Sequence, residues 1–198
     1  MTIPLVKICG ITRVEDAVLS MELGASAIGF IFYEKSPRFV KPARAQEIVT
    51  ALGASKASLM KVGVFVNPTF DQLSDVLGLV TLTHLQLHGN ESPEFCNDVK
   101  KLFPFVKLIK ALRLNTPEAQ LAYPVDFELL DHQSAQFWGG TGQTVSWTDA
   151  CARKEQHRQT KLPFFLAGGL NADNIGQAIL EVSPDGLDVS SGVEDSPG

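Results

Sequence analysis

The chain has 198 residues, 44% hydrophobic and 20% charged, with 17 Lys plus Arg against 22 Asp plus Glu and a formal net charge of -5. Such a chain suffices for one globular domain over residues 1–198 and is too apolar to be disordered. It has no apolar run long enough for a membrane span, and its acidic balance with scattered basic residues excludes any general attraction to nucleic acid or anionic lipid.

The start, Met1 to Leu5, lacks the basic segment, longer apolar stretch and cleavage site of a secretory signal. Cys9, Cys96 and Cys151 are widely spaced and form no Cys-x-x-Cys pair. A mature cytoplasmic protein with free thiols is expected, without a disulfide framework or a thiolate zinc site.

Apolar runs of strand length occur at Leu5 to Cys9, Ala27 to Phe32, Met60 to Val66, His84 to His88, Phe105 to Leu112, Phe127 to Asp131, Phe164 to Ala167 and Gly186 to Val189. Continuous runs rich in β-branched and aromatic residues suit strands buried on both faces, as in a parallel sheet. Helix start signals fall between them at Thr12 to Glu15, Asn67-Pro68, Ser92-Pro93-Glu94 and Thr116-Pro117-Glu118, with Ser146 and Asn171 as further caps. Eight such alternations predict an α/β fold of the closed (β/α)8, or TIM, barrel type. The alternative is an open doubly wound sheet, which normally has about five or six strands and carries a glycine-rich fingerprint after the first. No such fingerprint follows Cys9. The chain ends where an eighth helix would begin, so the barrel is expected to lack its final C-terminal helix and to leave Leu187 and Val6 partly uncovered.

In a parallel barrel, chemistry gathers at the carboxyl ends of the strands. Alternation puts Lys7 and Cys9 on one face of the first strand, with an ammonium about 6 to 7 Å below the thiol. A nearby cation favours the thiolate; the alternative is a buried structural cysteine. Asp131 is a lone carboxylate at the end of the sixth strand, suited to donate a proton if its site is semi-buried, or else to cap or order the loop. His84 and His88 are four apart, but on a strand that is about 13 Å, so no metal site is expected of the pair. His88, at the strand end, is a candidate to touch ligand, and His84 is structural. His132 either tunes Asp131 or is solvated, and His157 reads as surface. Arg38, in Ser36-Pro37-Arg38, could hold a carboxylate bidentately or could be a solvated arginine. Gly168-Gly169 after the seventh strand and Ser190-Ser191-Gly192 after the eighth offer backbone amides for a phosphate. Gly139-Gly140-Thr141-Gly142 is either a lid or a loop needing positive φ.

Taken in order, Lys7-Ile8-Cys9-Gly10-Ile11-Thr12, Ser36-Pro37-Arg38, Leu85-Gln86-Leu87-His88-Gly89, Leu130-Asp131 with Gly139-Gly140-Thr141-Gly142, Leu166-Ala167-Gly168-Gly169-Leu170 and Asp188-Val189-Ser190-Ser191-Gly192 resemble the phosphoribosylanthranilate isomerases of tryptophan biosynthesis. The resemblance implies an Amadori rearrangement without cofactor or metal, acting on a small phosphosugar. It makes Asp131 the general acid and Cys9 the general base, gives Arg38 the anthranilate carboxylate, and assigns the phosphate to Gly168, Gly169, Ser190, Ser191 and Gly192. Lys7 and His88 complete the expected substrate-contacting set. A related histidine-pathway isomerase would be expected to use two carboxylates, which Cys9 argues against; a barrel that binds a phosphosugar without turnover is the non-enzymatic alternative. Oligomeric state is left open.

Overall fold

The apolar runs become the staves of a barrel. The computed structural model describes residues 3–53, 58–114, 116–131 and 147–198, with 156–160 described by backbone alone. Strands β1 (Leu5–Cys9), β2 (Ala27–Ile31), β3 (Met60–Phe65), β4 (His84–Leu87), β5 (Lys107–Arg113), β6 (Phe127–Asp131), β7 (Phe164–Leu166) and β8 (Gly186–Val189) pair in parallel in chain order, and β8 closes onto β1. Helices α1 (Val14–Glu22), α2 (Pro42–Ala51), α3 (Phe70–Leu79), α4 (Pro93–Leu102), α5 (Trp147–Thr160) and α6 (Ile175–Val182) lie between strands.

Alternation along each strand divides the core into two layers. Ala27, Val62, Val64, Ile109, Ala111, Leu129, Phe165 and Ala167 form an inner cluster, while Ile28, Phe30, Leu85, Leu108, Leu130, Leu166 and Leu187 join the helix faces in an outer one. Gly186 is the space for a neighbour: a Cβ there would overlap the Phe165 ring, which takes that volume inside the barrel.

Local signals decide the helix starts unevenly. Ser92 caps α4, its hydroxyl accepting from the Phe95 N–H at 3.2 Å. After Asn67-Pro68 the cap is Thr69, in a reciprocal box with Gln72, and Asn67 takes a positive φ of 49°. At α1 the cap position is Arg13 and no side chain caps it, so the Thr12 to Glu15 spacing does not produce the expected box. Thr116-Pro117-Glu118 opens only a four-residue 3-10 turn, Pro117–Gln120, in place of a full helix. Asn171 accepts from the N–H groups of Asp173 and Asn174 just ahead of α6, whose cap position is Asn174. Ser146 lies outside the described residues.

Among the described residues no α-helix follows β8; a 3-10 turn, Ser191–Val193, comes next. The expectation that Leu187 is uncovered is corrected: it is 1% exposed and shares the outer core with Ala178 and Val182 of α6. The open side belongs to β1. Val6 and Ile8 are only half-buried and line a groove of about 460 Å³ with Leu19 of α1, Leu23 just after it and Val193 beyond β8. No described helix is long and apolar enough to cross a membrane.

Candidate active site

The parallel closure brings every strand's carboxyl end to one rim. On β1, Lys7 and Cys9 turn inward. Lys7 is completely buried, and its Nζ lies 2.8 Å from Oδ1 of Asp188, its register partner on β8. Burial opposes the Lys7 charge, yet Asp188, with Cys9 beside it, outweighs burial and holds the ammonium above the ordinary lysine range. Gly29 of β2 leaves the room these side chains use: a Cβ there would sit 2.9 Å from Cys9 Sγ and 3.2 Å from Lys7 Nζ.

For Cys9 the structure reverses the expectation of a thiol lowered by Lys7. Burial pushes the thiol up to about 11; the lysine pulls it back in part, and Asp188 adds to the rise. The lysine charge is already engaged by a carboxylate, which leaves less of it to favour a thiolate. Cys96 and Cys151 sit in α4 and α5, away from the rim, and all three thiols are free.

Asp131 closes β6 with 7% exposure, and its Oδ2 is 3.1 Å from Nε2 of His88, just past β4. Nδ1 of His88 is 3.0 Å from Nε2 of the buried Gln86. The loop holding His88 is pinned by Glu91, which accepts from the N–H groups of Gly89 at 3.0 Å and Asn67 at 2.8 Å and pairs with buried Lys110 at 2.8 Å. His84 has no part in this arrangement. It packs against Phe127 at the other end of β4, its Nδ1 2.8 Å from the Thr83 hydroxyl, and burial lowers it to about 4, so the ring is neutral. Among the described residues no group of three or more His, Cys, Asp or Glu could hold a metal ion.

Arg38 is 7% exposed, not a solvated arginine. Its loop folds back on β2 through the Ile31 to Phe39 bridge, and the Ser36 hydroxyl accepts from the Arg38 N–H at 3.1 Å. Glu194 takes the Nε and Nη2 edge of the guanidinium, with Nε 2.9 Å from Oε2. Gly10, at φ 97°, lets the arginine cross the end of β1, since a Cβ there would overlap Arg38 Cδ.

Beyond β7, Gly168 and Gly169 adopt positive φ of 89° and 62°, and their amides donate to no described residue. Beyond β8, Ser190 to Gly192 run against the residue that follows this glycine pair: a Cβ on Gly192 would overlap the Leu170 carbonyl oxygen. Two turns in backbone contact, with N–H groups on one that no described residue engages, can receive an anion. His132, Gly139-Gly140-Thr141-Gly142 and Gln143 lie outside the described residues, as does the side chain of His157.

Residues 6–198 match the family model of N-(5'-phosphoribosyl)anthranilate isomerase. The chain belongs to this isomerase family. A phosphoribosylanthranilate isomerase of Rippkaea orientalis is 43% identical over 98% of this chain and 88% of its own length. The crystal structure of the Thermotoga maritima isomerase superposes with a TM-score of 0.83 at 36% identity, covering 99% of this chain and 92% of that one. Another isomerase structure, in complex with reduced 1-(o-carboxyphenylamino)-1-deoxyribulose 5-phosphate, gives a TM-score of 0.79 at 34% identity, covering 99% and 91%.

Within this phosphoribosylanthranilate isomerase family member, Asp188, Gln86, Gly29 and Glu194 join the site without being expected there. Asp188 carried a legible signal, a lone polar side chain on the inward phase of an apolar strand, and Gln86 another, its place between His84 and His88 in a row of polar residues on one phase of β4. Glu194 carried none, because its partner lies 156 residues away in sequence.

Proposed function

We propose that this chain converts N-(5-phosphoribosyl)anthranilate to 1-(2-carboxyphenylamino)-1-deoxyribulose 5-phosphate by an Amadori rearrangement, with Asp131 as acid and Cys9 as base. The observation that carries this reading is an acid and a thiol on one rim, flanked by a buried guanidinium and a pair of contacting glycine turns. Asp131 gives a proton to the furanose ring oxygen as the C1–O bond breaks, and the anthranilate nitrogen lone pair forms the Schiff base. Cys9, as thiolate, takes the proton from C2, and the resulting enolamine becomes the ketone by protonation at C1 and loss of the C2 hydroxyl proton. The shift moves protons and no net electrons, so a redox cofactor has nothing to supply. Arg38 holds the anthranilate carboxylate, and Gly168, Gly169, Ser190, Ser191 and Gly192 hold the phosphate, which pins the sugar between acid and base. Lys7 supports Cys9 from below, and His88 supports Asp131. Three unpaired thiols fit a reducing, cytoplasmic setting.

Asp131→Asn, which keeps the shape and removes the acid, is expected to lower kcat/KM by roughly 10²–10⁴-fold in an assay following loss of substrate fluorescence without added cofactor. Turnover within a few fold of the parent would remove Asp131 from the acid role. Gly192→Ala should act differently. By driving the two phosphate turns apart it should raise KM at least about tenfold, the scale of one lost charge-assisted hydrogen bond, with a smaller change in kcat; an unchanged KM would place the phosphate elsewhere.

A further inference from the structure

Gln86 is a primary amide set between aliphatic neighbours inside the barrel. It is fully buried on β4, its register partners are Val64 and Ile109, and its Oε1 has no hydrogen-bond partner among the described residues. Burying such a group is unfavourable unless its hydrogen bonds are made. Its Nε2, 3.0 Å from His88 Nδ1, makes one. We propose that Gln86 is a positioning residue for the acid: it holds His88 as a neutral ring donating from Nε2 to Asp131, so that the proton to be transferred belongs to the carboxyl and not to the imidazole.

The argument is one of donors and acceptors. An amide N–H directed at Nδ1 requires a lone pair there, and a neutral imidazole with a lone pair on Nδ1 carries its hydrogen on Nε2. That hydrogen faces Asp131 Oδ2 at 3.1 Å. Oδ2 is thus an acceptor throughout, and the proton to be released is carried on Oδ1. The reverse amide orientation would place the ring hydrogen on Nδ1, donating to Oε1, with Nε2 accepting from a protonated Asp131 or, in an imidazolium, donating to its carboxylate; the 3.0 Å approach of the amide nitrogen to Nδ1 points to the first arrangement. Gln86 also settles a competition. A proton shared between an imidazole and a carboxyl can rest on either, and only on the carboxyl does it serve as the acid of this reading. A second hydrogen on Nδ1 would meet the amide N–H head on, and the histidine is kept neutral. The charged groups around the pair are Asp188 on β8, which interacts with both, and Lys110, Arg113 and Glu118, which line the small cavity beside His88.

This inference rests on Asp131 acting as the acid, and the measurements separate the two. Nitrogen-15 NMR of the parent enzyme reads the His88 ring directly, whatever Asp131 does, and should show a neutral ring with hydrogen on Nε2 at neutral pH. An Nδ1–H ring or an imidazolium would overturn the proposal. Gln86→Met, close in volume, should lower kcat at least tenfold with KM changed less than about threefold, and should move His88 towards imidazolium. Gln86→Glu, which offers Nδ1 an acceptor, should do so further and shift the acid limb of the kcat profile. If either variant folds and keeps the parent's kcat, pH profile and ring state, Gln86 has no such role; if a variant does not fold, the parent spectrum still decides. Wild-type turnover in Asp131→Asn would instead remove the acid reading while leaving the ring state of His88 as measured.

Discussion

Cys9→Ala is expected to lower kcat/KM for phosphoribosylanthranilate by roughly 10²–10⁴-fold, the usual contribution of a single positioned proton acceptor. Cys9→Ser should not restore it, because a hydroxyl is far harder to ionise than a thiol. The base is held in a demanding state. With burial pushing the thiol up to about 11, the thiolate is scarce at neutral pH but strongly basic once formed. Below that value the thiolate fraction grows about tenfold per pH unit, so the parent's kcat/KM should contain a component that rises with pH and that Cys9→Ala lacks. An alanine variant retaining both the rate and the rise would assign the base to another group.

Asp188→Asn should cost stability and change the thiol together. Lys7 is completely buried, and its partner carboxylate lies 2.8 Å away. Removing that charge leaves an uncompensated ammonium inside the barrel, a change that typically costs about 3–5 kcal/mol, read as a lower urea midpoint at unchanged slope. The sign of the pH dependence follows from Lys7 being held above its unfolded value. The Lys7 charge contributes fully below about pH 10, the ordinary lysine range, and its contribution is lost as pH rises through the folded value; burial raises the Asp188 carboxyl, so the pairing is lost as well when that carboxyl is protonated in acid. The stability difference between parent and variant should therefore narrow in strong alkali, and also in acid as Asp188 takes up a proton. Because Asp188 raises the Cys9 thiol, its removal should lower the pH at which that thiol is alkylated. A variant as stable as the parent, with an unmoved alkylation curve, would show the Lys7 charge to be satisfied elsewhere.

The fold was legible because the apolar runs are long, uninterrupted and regularly separated, so small errors in strand ends did not disturb the alternation. Phe127 to Asp131 is one example: the expected limits and β6 coincide, and the lone carboxylate falls at the rim by counting alone. Inward placement of Lys7 and Cys9 follows from the same period of two. The helix after β5 was misread because a cap followed by proline starts helical geometry without supplying the apolar face that would extend it; Pro117–Gln120 stops after four residues. The thiol's direction is hidden from the sequence for a different reason. Lys7 is adjacent to Cys9 in the pattern, but the charge that competes for Lys7 comes from Asp188, 181 residues later. Glu194 on Arg38 is likewise a product of closure, invisible until β8 meets β1.

Ring closure also changes what the bare side of β1 can do. The strand is hydrogen-bonded to β2 on one flank and β8 on the other, so β1 offers the Val6 and Ile8 groove its side chains and not an open strand edge. Strand addition, the route by which exposed apolar strands usually recruit further chains, is closed to it. Anything that comes to rest there must do so by surface packing across the strand, and the ladder on either side of Cys9 stays intact while it does.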